Sequence, residues 1–246
     1  MMAIAIALST VLATFLGGAL ALKSKDRLHL ILGLSGGLLL GLVAFDLIPE
    51  VFELTTIEIW HTPAVMVAFV AGFLLLHVVE RASGIHEPTD SEYEPGHTHT
   101  HERTGIVAAV GMLIHIFLDG VGIGLAFQVS TTLGWVVALA VVSHAFSDGL
   151  NTVSLLIKDG KWQSRSVLLL VADGIARVSG AILGTRIQIS DDTVGIYLAA
   201  FAGFLIYLAT SHILPEAHSK HPSRVTLLAT AAGALIMFII VNALHG

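Results

Sequence analysis

Two copies of one pattern, H-x-F-x-D-G, stand near the middle of this chain: HIFLDG from His115 to Gly120 and HAFSDG from His144 to Gly149. In each copy an imidazole and a carboxylate occupy positions i and i+4, which on a helix places both on one face about one turn apart. Neutral imidazole and carboxylate bind zinc at about 2.0–2.2 Å and also serve iron and manganese. Each copy is therefore a two-ligand claw, and two facing claws would offer four nitrogen and oxygen donors to one ion. Their two carboxylates would also balance a divalent charge. A single His/Asp pair reads equally well as a hydrogen bond between helices, but that role requires no repeated i, i+4 spacing. Cysteine is absent, so disulfides and thiolate ligands are both excluded.

The elements that must position these claws are membrane helices. Hydrophobic residues make up 55% of the 246 and charged residues 12%, with a mean hydropathy of +0.86, whereas soluble domains carry about 25% charge. Apolar runs at residues 2 to 22, 28 to 49, 63 to 82, 104 to 128, 132 to 157, 166 to 186, 193 to 213 and 225 to 244 have the length of membrane crossings. The expectation is an all-α polytopic membrane protein with eight transmembrane helices, forming one transmembrane domain over 1–246 with no separate soluble domain. The first run lacks a basic segment before it and a polar cleavage region after it, so it reads as a retained helix. A short connection near Ser130 to Leu133 makes the fourth and fifth runs antiparallel neighbours, which lets the claws converge at similar depth. An ionised Asp at mid-membrane costs at least ~2.5–3.5 kcal/mol on insertion scales, so Asp119 and Asp148 need a metal ion or a proton as partner.

Lys23, Lys25, Arg27, Arg81, Arg103, Lys158, Lys161, Arg165, Lys220 and Arg224 fall in alternate connections. Those connections are expected to be cytoplasmic and both termini extracytoplasmic. The net charge of −6 carries little weight in a membrane protein, and no basic patch supports nucleic-acid binding. One cytoplasmic connection, 84–103, is polar and ends in His97, His99 and His101. It is expected to be a loop whose histidines contact metal, against the simpler reading of a solvated linker. A shorter echo links DLIPE from Asp46 to Glu50 with HILPE from His212 to Glu216, near helix ends on opposite membrane faces, as an inverted repeat predicts. Proline terminating a helix is the plainer reading. Asn151, one turn beyond Asp148, extends the polar face or serves only in packing.

With these residues in view, the chain resembles the ZIP family of metal-ion transporters, most closely its short prokaryotic members. The resemblance covers essentially the whole chain, and its specific part is the H-x-x-x-[DE]-G motif of the fourth and fifth runs. It implies import of zinc, or of iron, manganese or cadmium, into the cytoplasm, with His115, Asp119, His144 and Asp148 as ligands and the metal as cargo rather than cofactor. Family members with a binuclear site place Asn after the first histidine and a carboxylate after the second motif's first position; here Ile116 and Ala145 stand there. The family's sixth-helix glutamate corresponds to Arg177, so the resemblance implies that a second metal position is absent.

Arg177 needs a carboxylate partner within the membrane. Asp173, one turn earlier, is one choice; Asp119 or Asp148 is the other, in which case the guanidinium is a tethered cation in place of a second metal. The expected setting is the inner (plasma) membrane of a bacterium or archaeon, with lipid and a divalent ion as partners and a homodimer left open. The rival function is an intramembrane zinc hydrolase, for which His212 and Ser211 would have to complete the site. A non-enzymatic metal sensor is a third reading, supported only by the His-rich loop.

Overall fold

In lipid every backbone polar group must find its partner within the protein, so long uncharged runs fold as helices. The computed structural model describes residues 2–23, 28–82, 101–154, 164–219 and 224–245. Its helices are α1 (Met2–Lys23), α2 (Leu28–Leu42), α3 (Ile48–Leu54), α4 (Ala64–Ala82), α5 (His101–Val129), α6 (Thr131–Ser154), α7 (Ser164–Arg186), α8 (Asp191–Leu208), α9 (Leu214–Ser219) and α10 (Arg224–His245). Among the described residues six helical stretches are long and apolar enough to cross a membrane: His29–Leu54, Ala64–Arg81, Val110–Val129, Val167–Arg186, Asp191–His218 and Arg224–Ala243. The first and fifth expected runs give shorter apolar stretches, Met2–Leu16 and Thr131–Ala145. Large apolar side chains cover the outside, with Leu12, Leu16, Leu168 and Leu228 each more than 60% exposed. In water that surface would drive aggregation, and against hydrocarbon it carries no cost. The chain is an all-α polytopic membrane protein.

The two proline echoes share a feature the sequence did not announce. α2 runs into α3 through a π turn at Val43–Leu47, and α8 runs into α9 through a π turn at Ala209–Ile213. Pro49 and Pro215 therefore do not end their helices. Each follows a turn whose widened hydrogen bonding accommodates the missing N–H, and the helix continues to Leu54 or Ser219. A second difference is a small hairpin between α3 and α4, where Glu58–Ile59 pairs antiparallel with Thr62–Pro63. Its tip, Trp60 and His61, takes positive φ at both residues, as a tight two-residue hairpin turn demands.

Helices pack in pairs: α5 on α7, α2 on α10, α1 on α6 and α4 on α8. Small residues set these contacts, because without a hydrophobic drive in lipid, helices associate through close backbone approach. A Cβ at Gly120 would collide with the carbonyl oxygen of Arg177, and one at Gly180 with that of Phe117. α5 and α7 thus touch backbone to backbone at the level of the first claw. Only Ser130 separates α5 from α6, and its hydroxyl caps α6 by accepting from the Leu133 N–H at 3.0 Å. The turn is shorter than expected, and it folds the second claw back onto the first.

Candidate metal centre

His115 and Asp119 project from α5 and His144 and Asp148 from α6, and all four are buried at 6% exposure or less. One donor atom from each lies within 4.8 Å of all the others. Asp119 is the hub: its Oδ2 stands 3.0 Å from Nε2 of His144 and 3.5 Å from Nε2 of His115. Asp148 Oδ1 reaches to 4.0 Å from His115 Nε2. Convergence of the claws, which periodicity alone left open, is a property of the fold.

The imidazoles are oriented by their surroundings. His144 Nδ1 lies 2.9 Å from the Ala140 carbonyl, which can only accept, so the ring donates there and turns Nε2 toward Asp119. This tautomer presents a lone pair to a metal, and such an outer hydrogen bond fixes ring direction in metal sites. His115 stacks on Phe204 of α8, with ring centroids 4.9 Å apart and planes at 13°. Tyr197, also on α8, donates to the Leu118 carbonyl at 2.7 Å beside the hub. Neither aromatic residue was singled out from the sequence, where each looks like any ring in an apolar run.

Several polar atoms here are buried without a hydrogen-bond partner among the described residues: both ring nitrogens of His115, Oδ1 of Asp119 and Nη1 of Arg177. Buried polar atoms are nearly always satisfied, and orphans grouped around four converging donors fit an ion site. Removing the Phe204 ring tests how much the stack contributes. Such ring pairs are worth about 0.5–1.5 kcal/mol. Phe204→Ala is therefore expected to weaken divalent-ion binding by about threefold to tenfold while Phe204→Tyr stays close to the unmutated value, as read by equilibrium titration.

Other singled-out residues divide. Arg177, 1% exposed, places Nη2 at 3.2 Å from Asp148 Oδ2 and 3.5 Å from Asp119 Oδ2, so its partners include the claw carboxylates. Asp173 is buried on the same helix but stands outside the converging group. His212 lies on the α8 π turn with Nε2 at 2.9 Å from Glu80 Oε2, and it too is outside that group. The hydrolase reading would have needed it as a further ligand, and its Nε2 instead faces Glu80 of α4. Ile116 and Ala145 are fully buried and offer no donor. His97 and His99 lie outside the described residues, as do the side chains of His101 and Asn151.

The model of the family described as ZIP Zinc transporter matches residues 81–241, which contain both claws and Arg177. "Zinc transporter foi" of Drosophila melanogaster is 30% identical over 131 residues, covering 52% of this chain and 19% of that protein. "Zinc transporter ZIP9" of Micropogonias undulatus is 26% identical over 196 residues, 71% of this chain and 62% of that one. "Zinc transporter ZupT" of Corynebacterium aurimucosum is 25% identical over 243 residues, 93% of this chain and 91% of that one. The chain thus spans less than two thirds of the first two relatives and nearly the whole of the third. On the family match, which covers most of its length, this chain belongs to the ZIP zinc transporter family.

Proposed function

We propose that this protein carries a divalent transition-metal ion, zinc or one of similar ligand preference, across the plasma membrane into the cytoplasm. His115, Asp119, His144 and Asp148 are its membrane-depth ligands. The observation that carries the reading is the convergence of their four buried donors, with unsatisfied polar atoms around them, between helices that face lipid. Relatives named as zinc transporters favour zinc as cargo. The hydrolase alternative has lost its further ligand and has no support among the relatives.

The finer topology belongs to the same proposal: eight crossings, both ends outside, and two halves of opposite orientation around α5 and α6. In its support, the π turns precede the two I-P-E and L-P-E segments in the same way. The helix pairs would also exchange under such a repeat, α5 with α7 for α6 with α1, and α2 with α10 for α8 with α4.

The deciding experiment loads proteoliposomes with the purified chain and follows entry of Zn²⁺, Fe²⁺, Mn²⁺ and Cd²⁺ separately. Saturable entry of at least one ion supports a carrier; binding without entry of any of them would leave a sensor. The His-rich connection is expected to tune transport only, because the four converging donors all come from α5 and α6. Replacing His97, His99 and His101 together with alanine should preserve most of the flux, and a well-inserted triple variant with none would make that connection part of the obligatory path.

A further inference from the structure

A fifth ionisable group belongs to the cluster. Arg177 is the largest completely buried side chain among the described residues. Among the described residues it is held there by one hydrogen bond, donated by Nη2 to Asp148 Oδ2 at 3.2 Å, and by the approach of the same nitrogen to Asp119 Oδ2 at 3.5 Å. Those are oxygens an entering ion would take: Asp119 Oδ2 is also 3.0 Å from His144 Nε2, and Asp148 Oδ2 is 3.9 Å from it. Nη1 has no hydrogen-bond partner among the described residues. The backbone beneath is clamped, since the Arg177 carbonyl rests on Gly120. The stem from which the side chain extends is therefore fixed.

The geometry points to Arg177 as a resident cation of the ion path, one that holds the carboxylates when no metal is bound, opposes the incoming dication, and so limits the cluster to one ion and loosens its grip for release. This rests on the reading of the cluster as the transport site. A guanidinium does not give up its charge, so it competes at any working pH. With neutral imidazoles, two carboxylates and Arg177 carry −1 between them, and a dication takes that to +1. Without Arg177 the same states carry −2 and 0. The arginine thus shifts the balance toward the empty site and away from a trapped ion. Because guanidinium and ion must share carboxylate oxygens, Arg177 is displaced on loading rather than merely standing nearby.

The test uses the purified full chain in lipid nanodiscs, with His97, His99 and His101 replaced so that only the membrane cluster is read. Zn²⁺ and Cd²⁺ are titrated to equilibrium, and release is followed after adding excess chelator. One ion per chain is expected. Arg177→Met should tighten binding by about tenfold or more and slow release in proportion, because a like charge has been removed from a poorly solvated site. Arg177→Lys, which keeps the charge, should stay much closer to the unmutated protein. Equal or weaker binding by Arg177→Met, or two cluster ions in the unmutated chain, overturns the inference while leaving the transport site standing. Absence of any ion that Asp119→Asn removes, in both proteins, overturns the transport site and the inference together. Should Arg177→Met not fold, the guanidinium resonance lost in Arg177→Lys is followed in ¹⁵N-arginine-labelled protein. Its shift on Cd²⁺ saturation supports displacement, and an unmoved resonance refutes it.

Discussion

At matched levels in the membrane, Asp119→Asn and His144→Gln are expected to reduce metal entry to background, with His115→Gln and Asp148→Asn close behind. Asp119 comes first because its Oδ2 is the atom on which His144, His115 and Arg177 all converge, at 3.0, 3.5 and 3.5 Å. Losing an outer partner of a metal ligand costs about 10- to 100-fold in affinity, and losing a ligand that also supplies half the negative charge should exceed that. Asn keeps the volume and removes the charge, which matters because truncating one member of a buried charged network costs ~3–5 kcal/mol and Asp119→Ala would confound folding with transport. Initial rates of isotopic zinc entry into proteoliposomes, normalised to inserted protein, make the measurement. Near-normal entry in any two of the four ligand variants would remove the assignment.

Gly120→Ala should be nearly as damaging, without touching a ligand atom. The added methyl would meet the Arg177 carbonyl oxygen and stand 2.9 Å from the Ala181 amide nitrogen, both backbone atoms of α7 that cannot rotate away. Overpacking costs about 1–3 kcal/mol where side chains can yield, and rigid backbone on both sides puts this site at or beyond the upper end. The consequence reaches the ions, because the same contact sets where Arg177 and Asp119 sit. Two glycines on the same helix provide the comparison. A Cβ at Gly122 would find its nearest neighbours, Phe201 and Tyr197, at 3.8 Å, and one at Gly111 would find nothing within 4 Å. Gly122→Ala and Gly111→Ala should therefore keep their flux and melt no lower than the unmutated protein. The Gly111 substitution should gain up to about 1 kcal/mol from the alanine's helix preference. If Gly120→Ala melts and transports like Gly122→Ala, the backbone contact between α5 and α7 is not what places the site.

Much of this was legible in the chain itself. Apolar runs of crossing length dictate helices because lipid offers no partner to a free N–H or C=O. The i, i+4 spacing of His115 with Asp119 and of His144 with Asp148 fixes a shared face, because helical geometry depends only on neighbours along the chain. Even the echo between Asp46–Glu50 and His212–Glu216 marked two places where the structure repeats itself, although a proline in an apolar run reads as a helix end. The π turns that carry Pro49 and Pro215 onward depend on hydrogen bonding one residue wider than the regular pattern, and composition does not encode that choice.

What only the tertiary structure decided is which faces meet. Arg177 had carboxylates available on its own helix and on two others, and every choice was consistent with the sequence. Close passage of α7 over Gly120 delivers its guanidinium to Asp119 and Asp148. His212 had no partner that the sequence could name, and the packing of α8 on α4 sets it against Glu80. Phe204 carried no chemical signal at all and is the ring on which His115 rests. Sequence alone determined a membrane-embedded helical protein with two matched His/Asp claws, since both follow from local periodicity and from the polarity of the solvent. The arginine of the buried cluster, the cluster's aromatic support and its separation from His212 arose from contacts between helices distant in sequence. Those contacts depend on how closely the backbones can approach, a property of the assembled bundle and of no single segment.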